Sequence, residues 1–161
     1  MKGDAGAIEV RPIGWVETDR DNLALDRWGG VVSTIALDPA QFSPPALLGL
    51  TEFSHIEVIF HFDRHAAAGV CRGARHPRDN PAWPAVGIFA QRASARPNRL
   101  AVTRCRLRAV EGLRLTVEGL DALDGTPVLD IKPWLEEFGP RGAVRQPAWT
   151  REVMRGYFDG G

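Results

Sequence analysis

The sequence predicts a mainly β protein, a small single-domain β-barrel with a short C-terminal helix. Three observations carry this prediction: six or seven short segments have strand character, few segments read as helix, and 161 residues suit one domain. The hydrophobic fraction of 44% and the charged fraction of 25% are ordinary for a globular chain that builds its own core. A Rossmann fold has no support, because no G-x-G-x-x-G motif follows a first strand.

The strand-like segments occur in sequence at residues 8–18, with a bend at Pro12, and at 31–37, 53–62, 85–90, 100–110, 113–118 and 127–131. Residues 53–62 are almost continuously apolar, which is typical of a central strand. Gly112 separates two alternating segments, so we expect 100–110 and 113–118 to form a hairpin. A short helix is expected from Pro45 to Gly49, and another near residues 147–158 that would pack Trp149, Val153 and Met154.

Several features bear on the compartment of the protein. No apolar run reaches the roughly 18 residues of a membrane span, and the N-terminal residues lack the apolar core of a signal sequence. Cys71 and Cys105 are the only cysteines, which favours a reduced, cytoplasmic setting. Neither has a nearby CxxC partner, so a small buried hydrophobe or an exposed thiol is favoured over a nucleophile.

The zero net charge of the chain hides an asymmetry. Residues 64–114 hold eleven arginines and two acidic residues, which gives +9 for this segment and −9 for the remainder. A basic segment in an acidic protein is typical of an anionic partner such as a nucleic acid. The alternative is that these arginines form solvated ion pairs with the acidic remainder, and charge alone does not decide between the two.

One polar loop is a candidate binding site. Residues 87–102 read GIFAQRASARPNRLAV and place Gln91, Arg92, Arg96 and Asn98 between two strands. Pro97 fixes its own φ and holds the residue before it extended, so the loop has little entropy to lose on binding. Guanidinium and carboxamide groups suit a polar, partly anionic small molecule or a nucleotide. The alternative is a structural turn whose arginines bind backbone carbonyls.

A second candidate segment, residues 119–134, reads GLDALDGTPVLDIKPW. Asp124-Gly125 is a tight-turn signal, and Asp121, Asp124 and Asp130 lie close in sequence. These carboxylates could accept ribose hydroxyls or an ammonium group, or they could cap turns. No metal is expected: the spacing does not match an EF-hand, and His61 and His65 fall where strand geometry spoils helical ligand spacing.

Together these two segments resemble the TsaA-like family, also called YaeB-like or VirR-like. The family's G-[IV]-F-A-x-R-x-x-x-R-P-N loop matches residues 87–98, and its D-x-x-D-G-T-P-V-x-D-I-K-P stretch matches residues 121–133. An upstream L-x-G-L-x-x-F-S-H stretch matches residues 47–55, and I-G-x-V matches residues 13–16. The resemblance covers residues 8–135 as the β-barrel domain and leaves 136–161 as a C-terminal extension with a short helix.

The resemblance implies a homodimeric methyltransferase that uses S-adenosylmethionine and modifies N6-threonylcarbamoyladenosine at position 37 of tRNA. It implies cofactor-binding roles for Asp63, Arg64, Phe89, Gln91, Arg92, Arg96, Asn98, Val102, Leu123, Asp124, Gly125 and Thr126. No catalytic residue is named, since methyl transfer mainly requires alignment of donor and acceptor.

The alternation of residues 100–110 adds a prediction about the nucleic acid. It places Arg104, Arg106 and Arg108 on one strand face, where they would bind RNA phosphates. The chain departs from the family pattern at 17–19, 26–28 and 99–101. Two alternatives therefore stay open: a non-catalytic S-adenosylmethionine-binding module, and a methyltransferase that acts on a small metabolite.

Overall fold

Six antiparallel strands close into a barrel in the structure, a computed structural model that describes residues 6–21 and 26–160. The barrel order is β1-β2-β7-β6-β3-β8, and β4 and β5 form a separate two-stranded sheet. The strands are β1 (Gly14–Glu17), β2 (Val32–Leu37), β3 (His55–His61), β4 (Ala74–Arg75), β5 (Val86–Gly87), β6 (Leu100–Glu111), β7 (Arg114–Glu118) and β8 (Pro127–Pro133). The predicted mainly β barrel with one short C-terminal helix is confirmed.

Alternating apolar side chains fill the barrel. On β3, Ile56, Val58 and Phe60 point inward and are at most 1% exposed, and Ile35 on β2 and Leu115 on β7 are fully buried. Each such side chain contributes about 1.5–3 kcal/mol through the hydrophobic effect. The inward positions are fixed by the period of two along each strand, so the polar residues between them project outward.

The predicted central strand and hairpin are confirmed. β3 pairs with β6 on one side and with β8 on the other. β6 and β7 pair across Gly112, with a register shift between Leu107 and Ala109. The barrel closes where β1 pairs with β8, with Gly14 opposite Val128 and Trp15 opposite Pro127.

Some predicted elements are shorter than expected. Residues 8–13 precede β1 and are not strand, and the segment at 85–90 pairs only through β5 before turning into a 3₁₀-helix, Ile88–Ala90. The turn buries Ile88 and leaves Phe89 79% exposed, which a continued strand in the barrel wall would not require. The helix expected at 45–49 is a pair of 3₁₀ turns, Pro44–Leu47 and Leu50–Glu52, because Gly49 between them takes a φ of 81°.

The C-terminal helix α1 spans Ala148–Val153 and leads into residues 154–160, which we call the C-terminal tail. Trp149 and Val153 are half-buried as expected, whereas Met154, which follows the last helical residue, is exposed. The predicted polar loop at 19–30 lies partly outside the described residues. No helix of residues 6–21 and 26–160 is long and apolar enough to cross a membrane.

The C-terminal tail returns to the barrel and packs on residues 26–30. The backbone N–H groups of Arg27 and Trp28 donate to the carbonyls of Gly156 (3.0 Å) and Tyr157 (2.8 Å). Gly29 allows this approach, because a Cβ there would lie 1.9 Å from the carbonyl oxygen of Phe158. The sequence-distant tail is therefore part of the barrel's surface.

The loop at 63–84 ties these segments together. Arg78 donates both terminal nitrogens to Asp26, at 3.0 and 2.6 Å. The indole nitrogen of Trp83 donates to Glu152 of α1 at 2.9 Å. The long loop thus holds both the 26–30 segment and the C-terminal helix in place.

Candidate functional site

The loop at 87–99, which we call the arginine loop, is attached to the start of β6. Arg92 Nη2 donates to the carbonyl of Val102 at 2.5 Å, and Arg96 Nη1 donates to the carbonyl of Gln91 at 2.9 Å. Each arginine thus makes one hydrogen bond to a backbone carbonyl, as the alternative of a structural turn predicts. Because a guanidinium carries five N–H donors, both arginines keep donors for a ligand.

The other polar residues of the arginine loop differ in exposure. Gln91 is buried, and its Nε2 donates to the carbonyls of Arg75 (2.8 Å) and Val86 (2.9 Å), so its amide holds the loop. Asn98 is exposed and takes a φ of 61°, a left-handed conformation that Asn tolerates better than most residues. The loop therefore presents Arg92 and Asn98 outward on a fixed support, beside the exposed ring of Phe89.

The turn around Asp124 is bound to β1 and to the end of β3. Gly125, at φ 76°, donates its N–H to the carbonyl of Val16 at 2.7 Å, and Thr18 donates its N–H to Asp124 Oδ1 at 3.1 Å. Arg64 Nη2 donates to the carbonyl of Asp124 at 2.6 Å, while the neighbouring Asp63 is exposed. Arg64 thus fixes the turn, and the Asp124 carboxylate stays exposed.

A cavity of about 380 Å³ opens beside Asp124. Ser33 lies at its wall, 2% exposed, and its Oγ has no hydrogen-bond partner among residues 6–21 and 26–160. An unpaired buried hydroxyl is costly unless a ligand or water satisfies it. The remaining lining residues are Glu17, Thr18, Asp19, Val32, Thr34 and Asp124.

Asp121, one of the candidate carboxylates, forms a second polar centre, and the sequence did not reveal its partner Tyr157. Thr103 on β6 donates its hydroxyl to Oδ1 of Asp121, and Tyr157 of the C-terminal tail donates to Oδ2 at 2.5 Å. Burial, and next the charge of Asp121, raise the pKa of Tyr157 well above its usual range, against a smaller opposite effect of Arg92 and Arg78. Tyr157 is therefore a hydrogen-bond donor at neutral pH.

The two predicted motifs meet at β6. Arg92 binds the carbonyl of Val102, and the adjacent Thr103 binds Asp121, which begins the D-x-x-D-G-T-P stretch. Leu123 and Thr126 continue that stretch and close its turn through a hydrogen bond of 3.1 Å from the Thr126 N–H to the Leu123 carbonyl. The structure thus brings the arginine loop and the Asp121–Thr126 stretch onto neighbouring positions of one wall.

The outer face of β6 carries the three predicted RNA-binding arginines. All three are exposed, but Arg108 forms an ion pair with Glu118, and the guanidinium of Arg104 stacks 3.7 Å from the ring centre of Trp134. Arg106 has no ion pair within residues 6–21 and 26–160. The ion-pair alternative for the basic segment therefore holds for Arg108, and also for Arg75, Arg78 and Arg114, which pair with Asp79, Asp26 and Glu17.

Two further residues singled out in the sequence, Asp130 and Cys105, make structural contacts. Asp130 pairs with Lys132 at 2.5 Å. Burial, and next the charge of Asp121, raise the pKa of the Cys105 thiol to about 12, which leaves a core side chain rather than a nucleophile. Within the described ranges, no three His, Cys, Asp or Glu side chains converge on a point.

The protein is a closed β-barrel that carries an arginine loop and an Asp-Gly turn. These features place it in a class of small β-barrel domains, which is distinct from the nucleotide-binding α/β folds. The chain belongs to the family described as the tRNA-methyltransferase O N-terminal domain, whose model matches residues 27–139.

Three similar proteins extend this comparison. A Mus musculus protein named tRNA (adenine(37)-N6)-methyltransferase is 32% identical over 142 residues, which cover 84% of this chain and 32% of the relative. A Methanothermobacter thermautotrophicus protein named "Probable S-adenosyl-L-methionine-binding protein" is 38% identical over 143 residues, covering 84% of this chain and 96% of the relative. A crystal structure of TrmO from P. aeruginosa superposes with a TM-score of 0.73 at 29% identity, covering 92% of this chain and 64% of that one.

These relatives differ in length. The chain spans about a third of the mammalian relative and nearly all of the archaeal one. The similarity therefore concerns most of this chain and only part of the longer relative.

Proposed function

We propose that the protein is an S-adenosylmethionine-dependent methyltransferase that acts on N6 of N6-threonylcarbamoyladenosine at position 37 of tRNA. The observation that carries this proposal is the junction of the arginine loop and the Asp121–Thr126 stretch at β6, through Arg92 to Val102 and Thr103 to Asp121. The names of the mouse and archaeal relatives support the reaction and the cofactor respectively.

Residues of the two motifs and of the cavity beside Asp124 fit S-adenosylmethionine. Its carboxylate suits a guanidinium such as that of Arg92, which binds planar oxyanions in a fork. Its ammonium group and ribose hydroxyls suit the exposed carboxylate of Asp124 and the unpaired Oγ of Ser33 in the adjoining cavity. The predicted cofactor residues Asp63, Arg64, Phe89, Gln91, Arg96, Asn98, Val102, Leu123, Gly125 and Thr126 would shape and support this surface.

The chemistry asks little of the protein beyond positioning. Bound S-adenosylmethionine supplies an electrophilic methyl group on a sulfonium. The fixed arginine loop would orient the bound groups, which lowers the entropic part of the barrier. A ureido-type N6–H is acidified by its carbonyl, so the reaction does not require a dedicated base, and we assign no catalytic residue. Tyr157 is unsuited to act as a base, because it is protonated at neutral pH.

The proposal includes a homodimer that acts in the cytoplasm. The rings of Phe89 and Phe138 are 79% and 74% exposed, and Leu135 is also exposed. Large apolar side chains left on the surface of a small barrel are typical of an interface. A second subunit would also deepen a site that is shallow in one chain.

The arginines on the outer face of β6 support a role in RNA binding. Arg104 and Arg106 follow Val102, the residue whose carbonyl binds Arg92, so cationic side chains continue from the arginine loop along the strand. Arg108 extends the row, although Glu118 neutralises it. Each phosphate contact should add about 0.7 to 0.9 to the slope of log affinity against log salt.

Calorimetric titration of S-adenosylmethionine tests the site. We expect Arg92→Ala and Asn98→Ala to abolish binding while both variants stay folded, because both side chains lie on an exposed loop rather than in the core. Arg141→Ala is the matched control, since Arg141 is also exposed and lies outside the barrel. Wild-type affinity in both loop variants would remove the arginine loop from the site.

A second candidate function is a binding module without catalysis. The observation that favours it is the archaeal relative of nearly equal matched length, which is named for binding and not for transfer. A protein that binds S-adenosylmethionine but transfers no methyl group to tRNA would meet this description. Transfer that persists without RNA would instead indicate a small-metabolite acceptor.

A further inference from the structure

A second cavity, of about 310 Å³, lies on the other side of β6 from the barrel core. It is bounded by Gly29, His55, Arg104, Arg106, Gly119 and Phe158, together with Cys105 and Glu118. None of its outward-facing residues is among the cofactor-binding residues above. We propose that this cavity is a subsite for a single-stranded RNA nucleotide, with Phe158 stacking on the base and Arg106 binding its phosphate.

The charge of the cavity favours an anion. Arg104 and Arg106 line it, against the single carboxylate of Glu118. Arg108 already occupies that carboxylate, with Nε donating to Oε2 at 2.6 Å. The guanidinium of Arg104 stacks on Trp134, which leaves Arg106 as the cation without an ion pair among the described residues. A phosphate would supply the missing counter-charge.

The aromatic wall of the cavity is held rigidly. Phe158 is 50% exposed, and its ring packs edge-on against Tyr157 with ring centres 4.8 Å apart. Tyr157 is fixed by its hydrogen bond to Asp121 and by the N–H of Trp28, which donates to its carbonyl. A half-exposed aromatic ring that is already ordered stacks on a base with little further loss of entropy.

Two glycines lie beside this residue. Gly29 lets the backbone of Phe158 approach closely, since a Cβ there would lie 1.9 Å from the Phe158 carbonyl oxygen. Gly119 takes a φ of 84°, and a Cβ there would meet only the Gly29 carbonyl oxygen, at 3.8 Å, so its side leaves space. The cavity therefore combines one aromatic residue, cationic side chains and space beside Gly119, a combination typical of sites for unstacked RNA bases.

The position of the cavity links it to the proposed reaction. Tyr157 joins Phe158 directly to Asp121, the residue at which the two motifs meet. A nucleotide stacked on Phe158 would thus lie beside Tyr157, the residue that binds Asp121 of the proposed cofactor site. This inference rests on the proposed function and deepens it, because it names the side chains that would hold a nucleotide flanking the methylated one.

Fluorescence anisotropy with a labelled oligouridylate, measured over a salt series, tests the subsite. We expect Arg106→Ser and Phe158→Ala each to weaken binding about tenfold, the scale of one stacked base. Arg106→Ser should also lower the salt slope by about 0.7, whereas Phe158→Ala should leave the slope unchanged. Phe158→Trp, which keeps an aromatic face, should bind as the wild type does.

Arg114→Ser is the matched control, because Arg114 is an exposed arginine of the barrel that is already paired with Glu17 and belongs to no proposed site. Equal weakening in Arg106→Ser and Arg114→Ser would show a diffuse electrostatic effect and overturn the subsite. Wild-type binding by Phe158→Ala, or inorganic phosphate that competes as well as RNA, would also overturn it. Thermal unfolding of each variant confirms that the fold is intact.

The same proteins separate this inference from the proposed function. If the wild type methylates tRNA but Arg106→Ser and Phe158→Ala bind RNA normally, the subsite is wrong and the methyltransferase proposal stands. If RNA binding depends on Arg106 and Phe158 but no methyl group is transferred, the subsite stands and the proposed function is wrong.

Discussion

At the scale of single residues, Asp121 connects parts of the chain that are far apart in sequence. Its two carboxylate oxygens accept hydrogen bonds from Thr103 on β6 and from Tyr157 in the C-terminal tail. Charge-assisted hydrogen bonds of this kind contribute about 1.5–3 kcal/mol each. Asp121 therefore fixes the C-terminal tail beside the arginine loop, and Tyr157 is a positioning residue rather than a catalytic one.

The ionisation of Tyr157 can be followed without mutation, because it is the only tyrosine of the chain. We expect its absorbance at the tyrosinate band to titrate well above the usual pKa of about 10, because burial and next the charge of Asp121 disfavour the phenolate. The raised pKa means that docking of the tail is fully stable below pH of about 10 and weakens as the pH rises further.

Two controls make this titration specific. Unfolding in denaturant should return the pKa of Tyr157 to about 10, and Asp121→Asn should lower it in the folded protein by removing a neighbouring negative charge. A midpoint near the ordinary value in the native wild type would show that Tyr157 is not held against Asp121.

At the scale of elements, docking of the C-terminal tail depends on a close backbone approach. Gly29→Ala would place a Cβ 1.9 Å from the carbonyl oxygen of Phe158, so the tail must move. We expect a loss of about 1–3 kcal/mol in the free energy of unfolding, seen as a lower melting temperature. Gly73→Ala is the matched control, since nothing lies within 4 Å of its Cβ position. Equal stability of the two variants would contradict the docking.

The elements that sequence predicted best are those whose residues alternate strictly. β2, β6 and β7 follow their predicted segments within a residue or two, because one face must be buried in the barrel. The short strand predicted at 85–90 is limited to Val86–Gly87, since a short apolar run also suits a turn that buries only Ile88. Tertiary contacts determine whether such a segment forms a strand or a turn.

The candidate site was predicted only in part, because the sequence shows local motifs but not contacts between distant residues. The arginine loop and the Asp-Gly turn were found because each is a continuous motif with its own local signals. Tyr157 was missed because its partner Asp121 lies 36 positions earlier, and Ser33 was missed because nothing local marks an unpaired hydroxyl. Which distant residues meet, and which hydroxyl stays unpaired, is determined by the closure of the barrel.

At the scale of the whole molecule, the proposed homodimer follows from apolar surface that the barrel leaves exposed. We expect sedimentation velocity to show a dimer at micromolar concentration, and Phe138→Asp to shift it toward the monomer, because a buried unpaired charge opposes association. Phe138 is 74% exposed, so the variant should fold normally. Leu48→Asp is the control, since Leu48 is 90% exposed away from the Phe138 segment in sequence. A wild-type monomer would contradict the dimer.

The proposed function requires this barrel to transfer methyl groups from S-adenosylmethionine to tRNA. The most direct measurement incubates the purified protein with methyl-labelled S-adenosylmethionine and tRNA that carries threonylcarbamoyladenosine, and then identifies labelled nucleosides by mass spectrometry. We expect label on N6 of that adenosine with the wild type and none with Arg92→Ala. If the wild-type protein binds S-adenosylmethionine but the tRNA stays unlabelled, the proposed function is wrong.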